Sequence, residues 1–256
     1  MTIKSGLDYI RSRSIVDCDT MDEQGTTVAK TFGPFHDCTS NQAIAYNELI
    51  KPEHDELLHS SLTQAKALIQ EYPGLTIEEL AIEIAMISLS LRIAPDITGH
   101  IHIQTNPYYS YSTEKTIVNA LRTFKDPSPL LHFSALAQKY YASIGSQTQV
   151  LPASLTSTNE IFALAGVQHI TIAPGLLEEL AKPLEGKVPV ESLFDSPAVV
   201  EGAVPGKEVS YVNDESGYRI AFTRDAGGLS EEKLTQAVNI FCDMQDKLVQ
   251  VFKGLN

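Results

Sequence analysis

Short apolar runs alternating with long amphipathic ones constrain this chain more than any other feature, because that alternation is the pattern of a parallel sheet covered by helices. Runs 14–18, 35–38, 100–104, 147–151 and 169–172 are expected as strands. Runs 52–71, 76–93 and 113–124 place apolar residues three and four apart, so they are expected as helices. Ser112 stands before the last of these and Glu114 lies in its first turn. Ser134 is read as the start of another helix that runs to Ala142, and Ser157 with Glu160 as a capping box that opens a further one soon after a strand. Run 230–255, with Leu234, Val238, Phe241, Met244, Leu248 and Phe252 in register, is expected as a long helix packed on the body. Run 183–217 is rich in Pro, Gly, Glu and Asp and is expected to be an extended surface excursion. No internal repeat or sustained heptad is present, and 256 residues fit one α/β domain.

Charge narrows the partners. A net charge of -13, without any run of Lys or Arg, argues against nucleic acid and anionic membrane, because both need clustered cations. The first fourteen residues scatter their charges and contain no apolar core of a signal peptide, and Glu83 and Arg92 interrupt the most apolar stretch, 80–94. A soluble, cytoplasmic protein is expected. Cys18, Cys38 and Cys242 are odd in number and far apart, which suits reduced, buried thiols.

Several segments, in order, resemble the transaldolase family. Ile15-Val-Asp-Cys-Asp-Thr20 followed by Asp37-Cys-Thr-Ser-Asn41 is similar to that family's first two strands, the second ending in an Asp-Ala-Thr-Thr-Asn-Pro motif. Gly99-His-Ile-His-Ile-Gln104 and Ser110-Tyr-Ser-Thr-Glu114 resemble the third strand and the helix start after it. Ala163 to Leu180, through His169-Ile-Thr-Ile-Ala-Pro174, resembles the last helix, the final strand and the turn beyond. Phe241 and Asp246-Lys-Leu248 are similar to the C-terminal helix.

The resemblance implies an α/β fold derived from a TIM-type barrel, but with fewer than eight strands, because about three βα units between the third strand and the penultimate one have no counterpart. It implies transfer of a dihydroxyacetone unit between sugar phosphates through a lysine Schiff base, without a cofactor. The missing stretch is where the family carries that lysine. A Schiff-base amine must be partly desolvated and aimed into the barrel. No lysine meets both conditions by sequence: Lys125, nearest the gap, precedes Asp126-Pro127 in a solvated turn context. On the same resemblance Asp19, Asn41 and Gln104 hold catalytic positions. Asp19 is suited to acid/base work, Gln104 replaces a glutamate, and Thr39 holds substrate hydroxyls with Asn41. Thr156 replaces an arginine that grips phosphate, which leaves Ser154, Ser157 and a helix start as anion-binding elements. Each position also has a plain structural use, since strand-end Asp, Asn, Thr and Ser side chains commonly satisfy backbone groups.

Other chemistries are open on the residues alone. Asp17-Cys-Asp-Thr20 is similar to the nucleophile motif of haloacid-dehalogenase-type phosphatases, although Met21 departs from it. His100 and His102 share one strand face, with His36, His54 and His59 elsewhere, but no third ligand stands at useful spacing, so no metal is expected. The reading is a single transaldolase-like domain over 1–256 that takes a sugar phosphate, with its chemistry impaired or diverted. A non-catalytic scaffold of the same descent and an incomplete coding sequence are the alternatives. A sheet short of closure leaves edges that a homodimer would cover.

Overall fold

The computed structural model describes residues 3–22, 30–110, 129–184, 188, 190–195, 211 and 213–255. The expected helix over 113–124, and Lys125 with it, lies outside the described residues.

Four strands form one parallel sheet: β1 (Ile15–Asp19), β2 (Cys38–Thr39), β3 (Ile101–His102) and β4 (His169–Ile172), in the order β3-β2-β1-β4. The register pairs Cys18 with Cys38, Cys38 with Ile101, and Cys18 with Ile172. The strand latest in sequence lies against the earliest, as in a barrel on either side of its first strand. Among the described residues the sheet does not close.

The expected strand over 147–151 is corrected. That segment does run beside β4, where the His169 N–H donates to the Val150 carbonyl and the Thr171 N–H to the Pro152 carbonyl, each at 3.2 Å. A parallel ladder also needs donors returning from the outer segment. Pro152 has no N–H to donate to His169, so the pairing stays one-directional. The last strand stands as expected over 169–172, and the other three shift by a residue or more at their ends. Phe35, expected inside β2, forms only an isolated bridge to Ile97.

Helices make up most of the remaining described structure. They are α1 (Gly6–Arg11), α2 (Gln42–Leu49), α3 (Asp55–Leu68), α4 (Ile77–Ile93), α5 (Pro129–Ser143), α6 (Thr158–Ala163), α7 (Pro174–Ala181), α8 (Glu215–Arg224) and α9 (Leu229–Gly254). Local chemistry sets several starts. Thr76 and Glu79 form a reciprocal capping box on α4, and Ser5 with Asp8 does the same on α1. Ser134 is not a helix start: α5 begins five residues earlier at Pro129, whose fixed φ and missing N–H suit a first turn. The Ser157–Glu160 box is half formed. Ser157 Oγ accepts from the Glu160 N–H at 3.3 Å, but the Glu160 carboxylate bonds the Thr156 N–H, one residue before the cap.

Two apolar clusters result. One packs Val16, Cys18, Cys38, Ile170 and Ile172 of the sheet against Leu7, Ile10, Phe162, Leu177 and Leu180 of α1, α6 and α7. The second joins α2, α3 and α4 to the C-terminal helix through Leu49, Leu62, Leu89, Leu248 and Phe252. The expected C-terminal helix is present, and it docks on α2 and α4. Tyr108, in the turn after β3, donates its hydroxyl to Asp246 of α9 at 2.7 Å, which with burial pushes its pKa up to about 12. Part of the Pro-rich excursion is described: Arg13 holds Asp195 in a paired contact, at 2.6 Å from Nη2 to Oδ1, and Ser192 is buried. Among the described residues no helix is long and apolar enough to cross a membrane.

Phe252 is fully buried in the second cluster, so Phe252→Ala is expected to cost about 3–5 kcal/mol of unfolding free energy through lost burial and a residual cavity. Urea unfolding checks this; a loss under about 1 kcal/mol would mean that α9 is not docked as described.

Candidate active site

Side chains alternate across a strand, so the sheet's second face carries the residues between the apolar ones. These are Asp17 and Asp19 on β1, Asp37 just before β2 and Thr39 on it, His100 just before β3 and His102 on it, and His169 and Thr171 on β4. Every one is polar. Parallel sheets are usually apolar on both faces, so this face is built for polar contacts.

At the C-terminal ends of the strands, Thr39 Oγ1 donates to Asp19 Oδ1 at 2.8 Å. The Thr171 hydroxyl lies 2.8 Å from the same Thr39 oxygen. With the Thr39 proton committed to the carboxylate, Thr171 is the donor of that second bond. Asp19 is half-buried, and the two threonines are buried. The three form one hydrogen-bonded row across β4, β1 and β2.

Asn41 follows at the start of α2. Its Oδ1 accepts from the N–H groups of Ala43 and Ile44 at 2.9 and 3.1 Å, so it is the helix cap, and its amide nitrogen remains for other work. The Gln42 side chain donates to the main-chain carbonyls of Gln104 and Thr105, at 3.2 and 2.8 Å, and ties the end of β3 to α2. The Gln104 side chain is buried, yet neither its oxygen nor its nitrogen has a partner among the described residues. A buried amide without partners costs free energy that a hydroxyl-bearing ligand would restore.

The remaining sequence-derived positions lie beyond β4. Ser154 has φ 58°, in the left-handed region that costs a non-glycine residue energy. Thr156 is exposed; its N–H and hydroxyl both bond to Glu160, at 2.6 and 3.1 Å. Ser157 caps α6. The Glu160 carboxylate therefore sits where an incoming phosphate would meet this helix start, and α6 is only six residues long. Neither Thr156 nor Ser157 bonds to the Asp19 row; both turn to Glu160.

One layer down the strands lies a group that sequence reading passed over. Asp17 is fully buried; its Oδ1 accepts from the Asp37 N–H at 2.8 Å, and its Oδ2 meets His169 Nδ1 at 3.0 Å. Burial raises the Asp17 pKa, against the lowering pull of the Asp37 N–H and His169. For Asp37, burial also pushes upward, but the His100 N–H at 2.7 Å and the His102 ring at 3.1 Å outweigh it, and its pKa is lowered. The signal available in the sequence was the polar spacing of two in Asp17-Cys-Asp19 and His169-Ile-Thr171. Cys18 and Cys38 face the apolar side; their mutual hydrogen bond, then burial, raises the Cys18 pKa. All three cysteines are free, Cys242 half-buried.

A parallel sheet, open among the described residues, whose latest strand abuts its first and whose polar side chains gather at the strand ends, places the chain in the α/β class. The transaldolase/fructose-6-phosphate aldolase family model matches residues 16–128 and 125–251, and the chain belongs to that family. A transaldolase of Saccharomyces cerevisiae is 37% identical over 102 residues, 40% of this chain and 28% of that protein. One from Kluyveromyces lactis is 39% identical over 103 residues, 40% and 28%. One from Pseudoalteromonas atlantica is 38% identical over 118 residues, 45% and 33%. The aligned stretch thus spans no more than 33% of each of these relatives.

The cap role of Asn41 predicts that Asn41→Ala lowers unfolding free energy by about 1 kcal/mol, whereas Asn41→Asp, an equally good cap, leaves it within a few tenths. Urea midpoints for the two variants check this, and an equal loss in both would remove the cap from the account.

Proposed function

We propose that this chain binds a sugar phosphate at the C-terminal ends of its strands, and that dihydroxyacetone transfer through a lysine imine, the activity its relatives' names suggest, is impaired or diverted here. The observation that carries the reading is Gln104. Its amide is buried and without a partner among the described residues, at the end of a strand beside the helix start of Asn41. An amide can donate to one sugar hydroxyl and accept from another, but it has no proton to exchange near neutral pH. Asp19 keeps that capacity, and one of its oxygens accepts from Thr39 at 2.8 Å.

The lysines support the second half of the reading. None among the described residues is buried, while Lys115, Lys125, Lys187 and Lys207 lie outside them. Lys139, Lys233 and Lys51 are half-buried, and Lys51 pairs with Glu48 at 2.7 Å and Asp22 at 3.5 Å. Burial pulls its pKa down, and these carboxylates outweigh the pull and raise it, so the amine stays protonated. A protonated amine does not attack a carbonyl.

Binding without imine formation is the expected result. Fructose 6-phosphate should bind saturably in calorimetry, and Gln104→Ala should weaken it about tenfold, the equivalent of one lost hydrogen bond. Treating the saturated complex with borohydride should leave the intact mass unchanged. A stoichiometric sugar adduct would overturn the impaired-chemistry reading, and absence of any binding would favour a non-catalytic scaffold.

A further inference from the structure

Asp17 on β1 and Asp37 just before β2 stand side by side, both buried, and the charge of Asp37 further raises the Asp17 pKa. Among the described residues, every ion-pair partner of the two is a histidine. His169 meets Asp17 at 3.0 Å; His102, His36 and His100 meet Asp37 at 3.1, 3.8 and 3.9 Å. Two adjacent buried carboxylates are costly in a poorly solvated interior unless they are paired or bound to a metal.

We propose that Asp17, Asp37 and His169 hold a divalent transition-metal ion of the zinc class. One oxygen of each carboxylate and one ring nitrogen of His169 all lie within 4.8 Å of one another. An ion bound at about 2.0–2.2 Å from each ligand needs ligand atoms roughly 3–4 Å apart, a contraction of about 1 Å that carboxylate rotation supplies. His36 provides a fourth ligand. Its Nε2 is 3.8 Å from Asp37 Oδ1, and its ring centre is 5.5 Å from that of His169. The Asp37 N–H on Asp17 and the His102 ring on Asp37 hold the two carboxylates as outer-sphere partners do in metal sites.

Glycine at position 99 belongs to the same construction. A Cβ there would overlap the Asp37 carboxylate and crowd the His36 carbonyl, so only Gly99 lets the start of β3 deliver the His100 N–H to Asp37. The donor set selects the ion class. Two imidazole nitrogens with two carboxylates suit zinc, cobalt or nickel, whereas calcium and magnesium take oxygen ligands. Asp17 precedes Asp19 by two residues, about 6–7 Å along the strand. The ion thus lies a layer below the row formed by Asp19, Thr39 and Thr171; it cancels the buried charge and joins β1, β2 and β4.

Cobalt titration of the tag-free full chain, after chelator treatment, reads the site directly. The expected result is one equivalent of Co²⁺ per chain with ligand-field absorption, displaced by Zn²⁺. His169→Gln and Asp17→Asn should each lower affinity at least ~100-fold, and His36→Gln about tenfold. His36 is 44% exposed, so its variant folds even if the buried ones do not, and it then decides alone. No saturable cobalt binding overturns the proposal. So does binding that survives these substitutions unchanged, which would assign the metal to exposed histidines such as His100.

Discussion

The fold turns on one buried carboxylate. Asp17 sits on β1, between β2 and β4, and its two oxygens have separate partners, His169 of β4 and the Asp37 N–H just before β2. β1 shares only two paired positions with β2, and β2 only two with β3, so main-chain ladders alone are short. A charge-assisted side-chain tie across three strands compensates for that brevity, because such bonds are about twice as strong as neutral ones. It also commits the whole face to polarity. Once Asp17 is buried there, its neighbours must be groups that can satisfy a carboxylate.

Asymmetry between the two faces follows. The apolar face is covered by α1, α6 and α7, and the second apolar cluster fastens α9 to α2 and α4. Those contacts supply the hydrophobic stabilisation, whereas the polar face supplies register and chemistry. A slip of β1 by one residue would turn Asp17 and Asp19 into the apolar cluster and Cys18 out of it. Register is therefore specified by the same side chains that furnish the site.

Much of this was legible in sequence, and the failures have physical causes. The final strand, the capping box at Thr76 and the C-terminal helix follow from apolar periodicity and local capping chemistry, which depend on near neighbours. The segment over 147–151 looked like a strand because its composition is one; Pro152 removes the donor that would complete the ladder. Ser134 looked like a helix start because serine caps helices, yet Pro129 opens the helix first. Among site residues, Asp19 and Thr39 share a hydrogen bond, and Asn41 caps the helix that follows. Asp17, Asp37 and His169 escaped notice because they come from three strands far apart in sequence. Spacing along one chain cannot show a cluster that only strand pairing assembles.

Function and fold meet in the same two-residue alternation. The layer with Asp19 and Thr39 faces the strand ends, and the layer with Asp17 and Asp37 lies beneath and holds the strands together. A double-mutant cycle between Asp17→Asn and His169→Gln, measured by urea unfolding in chelator, tests that supporting layer most directly. The account predicts a coupling energy of at least about 1 kcal/mol, as expected for contacting members of one network. Additivity within about 0.3 kcal/mol would show that the two side chains act independently and that the sheet does not depend on their contact.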